Sequence, residues 1–159
     1  MTGSPLCKPE RNVSSFTANP KKAQDRFDAF TDSINATLES VLSHSSSSES
    51  PILEAVQAVG LRSFSSADVA HIKGRRLILV SDLVQNTHQV SFTKGVVPYE
   101  SFRLGRTLDA LRAPLGGVRV DILFLSRPNI GSAASLIDWW QRYFTDSGAS
   151  IASVQRIVG

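Results

Sequence analysis

The chain has 159 residues, 42% of them hydrophobic, which is enough for one domain with a real core and excludes disorder along its whole length. Its apolar runs, such as Leu77-Ile78-Leu79-Val80, are far shorter than the ~20 residues of a membrane span, and the opening "MTGSPLCKPERN" has no apolar signal-peptide core. As written, the chain is expected to stay in the cytoplasm, unless an upstream secretion signal belongs to it. The net charge of +3 is uneven. Residues 1–74 hold 7 basic and 8 acidic side chains, and residues 75–159 hold 10 and 6. Apart from the adjacent Arg75 and Arg76, the later basic residues are scattered singly, with no longer basic run or aromatic stacking motif, which points away from nucleic acid. Cys7 is the lone cysteine, so neither an internal disulfide nor a cysteine-based zinc site can form.

Residues 1–18, with Pro5 and Pro9, read as an irregular N-terminal segment, and residues 19–159 as a single domain. Asn19 and Pro20 form a cap-plus-proline helix start, and Phe27, Phe30, Ile34, Leu38 and Val41 lay an apolar stripe along a helix to about residue 43. The serine-rich "SHSSSSES" follows as a connector. Ser50-Pro51 repeats the helix start, and Ile52, Leu53, Val56 and Val59 predict a short helix ending at Gly60.

Residues 76–81 form a continuous β-prone run, as expected of a strand covered on both faces; 118–125 and the closing "IASVQRIV" are similar. Helical patterns at 101–112 and 131–146 separate them, with Gly148 ending the second and Gly116-Gly117 turning into a strand. The order predicts an α/β fold, a Rossmann-like three-layer sandwich with a mainly parallel sheet. Three strands leave that sheet with two open edges and too few strands for the helices, as if an opening strand were missing.

Asp82 directly follows "LILVS", where ligands gather in open parallel sheets. It reads equally as a functional carboxylate or as the acceptor that shapes the turn. Arg127, at the end of the second strand, either faces the same site or is a solvated loop residue. Trp140 shares a stripe with Leu136, Ile137 and Phe144, whereas Trp139 lies off it and reads as a surface anchor for a partner. His44, His71 and His88 lack paired metal ligands at helical spacing and read as exposed. No general base, acid or phosphate loop accompanies Asp82, so no catalytic residue is assigned and a binding role is favoured over an enzyme.

The order "SSSSESPILEAV", "LILVSDLVQN", "VDILFLSRPN" resembles the later part of a von Willebrand factor A-type (vWA-like) domain. The resemblance implies a protein-binding module with a metal-ion-dependent adhesion site. By that resemblance Ser50, or as the second choice Ser48, matches the site's second loop and Asp82 its third, and hard oxygen ligands of this kind suit Mg²⁺ or Mn²⁺. The family's Asp-x-Ser-x-Ser loop and the strand before it have no counterpart here, so the resemblance implies an N-terminally incomplete domain with a degenerate site. Ser50 reads independently as a helix cap. The alternatives are a Rossmann-like metal-dependent hydrolase using Asp82, or a truncated remnant completed by a partner strand.

Overall fold

The computed structural model describes residues 19–43, 48–64, 74–126 and 132–158. They fall in two compact units, Met1–Ser47 and Ser48–Gly159. The first contains helix α1 (Pro20–Ser43). The expected cap is present: Asn19 Oδ1 accepts from the Lys21 and Lys22 amides at 3.0 and 3.4 Å, satisfying two N–H groups left without partners in the first turn. Phe27 and Phe30 sit one turn apart with ring centroids 6.4 Å from each other.

The second unit is α/β. Helix α2 (Ile52–Val59) leads through a π-helical turn, Gly60–Phe64, toward strand β1 (Arg75–Ser81). Helices α3 (Tyr99–Leu104) and α4 (Arg106–Leu111), strand β2 (Val118–Ser126), helix α5 (Ala133–Asp146) and strand β3 (Ser150–Val158) follow. The strands form one parallel sheet in the order β1-β2-β3. Parallel neighbours need a crossover, and α3–α4 and α5 supply the two.

Two local expectations change. Gly60 does not stop α2: it keeps right-handed helical angles, and the chain widens into the π turn. Its missing side chain is used in packing, since a Cβ there would lie 2.9 Å from Pro114 Cδ. The single helix expected over 101–112 is broken into α3 and α4 at Gly105, which adopts extended angles; glycine is among the weakest helix formers. Gly148 does end α5, with φ +83°. Its amide and that of Ala149 bond back to the carbonyls of Thr145 and Phe144, both at 2.9 Å.

Within the second unit, the described residues cover the sheet on one face, which corrects the expectation that the first strand is covered on both. Val118, Val120, Ile122 and Phe124 of β2 are buried in the core with Leu136, Trp140, Tyr143 and Phe144 of α5. Alternation sends Arg76, Ile78 and Val80 of β1 to the other face, where Ile78 and Val80 are 54% and 55% exposed. The β-prone run looked continuous because this solvent-side face is apolar too.

One buried charge lies on that face. A register shift at Val120/Asp121 lets Ser153 pair with Asp121. Asp121, 4% exposed, accepts from Arg76 Nε and Ser153 Oγ, both at 2.5 Å. These bonds, Arg76 first, hold its carboxyl down to about 2. The folded value is depressed, so the contribution to stability is complete above the unfolded carboxyl value of ~3.9 and is lost as pH falls through the folded one. Thermal melts between pH ~4 and ~2 should therefore show a loss of stability that is smaller in Asp121→Asn, which has no proton to take up.

Candidate functional site

The turn after β1 is built by side chains that accept from the backbone two residues on. Ser81 Oγ accepts from the Leu83 amide at 3.0 Å, and Asp82 Oδ1 from the Val84 amide at 3.1 Å. The turn-forming reading of Asp82 is therefore realised. Between them Leu83 takes φ +61°, a left-handed conformation that costs a non-glycine residue ~1–2 kcal/mol. Leu83 is fully buried, and its carbonyl accepts from Trp140 Nε1 at 2.9 Å and from the Gln85 amide at 3.1 Å. Strain that the surroundings maintain in this way is common at sites with a function.

Gln85 is the hub of the next turn and is also fully buried. Its Oε1 accepts from the Leu53 amide at 2.9 Å. Its Nε2 donates to Glu54 Oε2 at 2.9 Å and to Thr87 Oγ1 at 3.3 Å. The first turn of α2 thus receives its hydrogen bond from across the fold. Position 51 precedes α2 without a side-chain cap, so the capping expected of Ser50 is corrected. Ser50 instead forms an antiparallel bridge with Asn86, through amide-to-carbonyl bonds of 2.8 and 3.0 Å. Asn86 also donates from Nδ2 to the Ser48 carbonyl at 2.7 Å and accepts from Ser91 Oγ at 2.9 Å.

The structure therefore ties the Ser50 segment to the loop that Asp82 opens, the two segments singled out for a cation. A carboxylate and a hydroxyl are hard oxygen donors, the kind that divalent cations such as Mg²⁺ take as ligands. Among the described residues, no group of three or more His, Cys, Asp or Glu side chains is placed to hold a metal ion. Beside the loop lies a cleft of about 430 Å³, lined by Val84, Phe92, Lys94 and Val96 and by Ser132 and Leu136 from the start of α5. Arg127 lies outside the described residues, as do His44 and His71; His88 is exposed, as expected.

Trp139 is not a surface anchor. It is 2% exposed, 4.9 Å from Phe92, 4.8 Å from Phe102 and 5.3 Å from Tyr99 between ring centroids, and stacked on Tyr143. Residues 92–102 wrap the side of α5 that the periodicity left polar, so both tryptophans are core. Burial pushes the Tyr143 phenol up to about 12 and also raises that of Tyr99, whose hydroxyl donates to Asp146 at 2.7 Å.

Sequence reasoning missed Leu83, Gln85 and Glu54. Nothing marks a leucine for positive φ, and Gln85 was visible only as a polar residue next to an apolar pair. No protein-family model, curated protein or solved structure matches the chain. No helix among the described residues is long and apolar enough to cross a membrane.

Gln85→Met keeps the side-chain volume but removes the bond to the Leu53 amide, and should lower unfolding free energy by ~1–3 kcal/mol in urea titrations. Trp139→Ala should lower it by ~3–5 kcal/mol, the cost of a large core truncation; a surface anchor would leave it almost unchanged.

Proposed function

We propose that the chain is a protein-binding module of vWA-like type, assisted at the Asp82 turn by a divalent cation, and not a catalyst. The observation that supports this best is the turn itself. An acid stands at the carboxyl end of a parallel strand, in a backbone fixed by Ser81 Oγ, Trp140 Nε1 and a left-handed Leu83. Rigid placement of one carboxylate suits a cation that also takes an oxygen ligand from a partner, with Ser50 as the second donor from this chain. A hydrolase built on Asp82 would need a positioned acid or base beside it.

A second reading, a sheet completed by a strand from a partner, is favoured by β1. Among the described residues it is an edge strand, and its solvent-side face carries Ile78 and Val80.

Thermal melts with and without millimolar Mg²⁺ or Mn²⁺ test the first reading, because a ligand bound only by the native state raises the midpoint. Asp82→Asn keeps an oxygen for the Val84 amide while removing the charge. Its metal-free midpoint should match that of the unaltered chain, and the metal-induced rise should disappear. A midpoint indifferent to both cations would overturn the cation-assisted site.

A further inference from the structure

Edge strands leave alternate N–H and C=O groups pointing away from the sheet. Among the described residues, the backbone groups of β1 bond only to β2. The even-numbered side chains of β1 and the turn after it run Arg76, Ile78, Val80, Asp82: a base, two exposed apolar residues, an acid. Read backwards, this series is its own complement. A parallel neighbour of the same sequence in matching register would set Arg76 against Arg76 and Asp82 against Asp82. An antiparallel one can set each base against an acid, and antiparallel pairing is what a two-fold axis generates from two identical strands.

We infer that β1 of a second copy completes the sheet, antiparallel about a two-fold axis at Leu79. This names the partner in the strand-completion reading and rests on that reading, not on the cation.

Two constraints select the register. Side chains alternate between faces, so a pairing that sets even-numbered against odd-numbered residues would turn one strand's apolar side away from the other's. Of the registers that respect this, one centred on Ile78 sets Arg76 against Val80 and leaves Asp82 opposite Gly74. The register centred on Leu79 sets Arg76 against Asp82 and Ile78 against Val80, twice each by symmetry. Opposite charges and β-branched pairs directly across strands are both favourable. Arg76 remains 61% exposed while its Nε holds Asp121, and guanidinium has further donors for a second carboxylate.

Sedimentation velocity on the full chain should show a dimer. Val80→Lys places a charge on an exposed position, so it should keep a cooperative melt while weakening the dimer roughly ten-fold or more. The register is read by disulfide trapping in a Cys7→Ser background. Mixed Ile78→Cys and Val80→Cys chains should cross-link to each other, and neither should cross-link alone, because same-numbered positions are then diagonal and too far apart. A monomer at high concentration, a dimer indifferent to Val80→Lys, or efficient trapping of Ile78→Cys with itself would overturn the inference. Hydrogen exchange separates its failure from that of the underlying reading. In a monomer, fast exchange at the outward β1 amides leaves strand completion by another partner standing; slow exchange there would overturn both.

Discussion

The hydrogen bond from Trp140 Nε1 to the Leu83 carbonyl joins the two parts of the fold that matter most. Trp140 is anchored in the aromatic face of α5, and Leu83 is the residue at which the chain leaves the sheet. Holding that carbonyl fixes a strained backbone, and the strain decides where Asp82 points its bond, where Gln85 enters the interior and how the loop meets Ser50. A left-handed leucine would relax if its carbonyl were released to water. It persists because the indole N–H, buried with it, would then also lose its acceptor.

Much of the architecture was legible in the sequence because it depends on period and punctuation. The three strands, the limits of α1 and α5, the Asn19 cap and the Gly148 stop all rest on short-range patterns that packing reinforced. The reading went astray where one pattern has two physical causes. A continuous apolar strand can be covered on both faces, or can expose an apolar edge as Ile78 and Val80 do. A tryptophan off the helical stripe can face solvent, or can face another segment, as Trp139 faces Phe92 and Phe102.

The site was less legible than the fold. Asp82 could be located, since it follows a β-prone run, and its turn-forming chemistry follows from being an aspartate at a strand end. The Gln85 hub could not be located, because its value lies in groups from α2, more than thirty positions earlier. Ser50 illustrates the same limit from the other side: Ser-Pro is a sound local cap signal, but the tertiary structure gave the cap to Gln85 and used the Ser50 backbone as a bridge.

That long-range cap bears on how the chain acquires its structure. Eight residues are too few for α2 to be stable alone, and no side chain next to it in sequence satisfies its first turn. The missing acceptor arrives only with the loop after β1, so α2 is an element that cannot finish before its neighbours. In folding kinetics it belongs to the late events: changes within it should accelerate unfolding far more than they slow folding, whereas β2, with both of its neighbours to recruit, is placed to condense first.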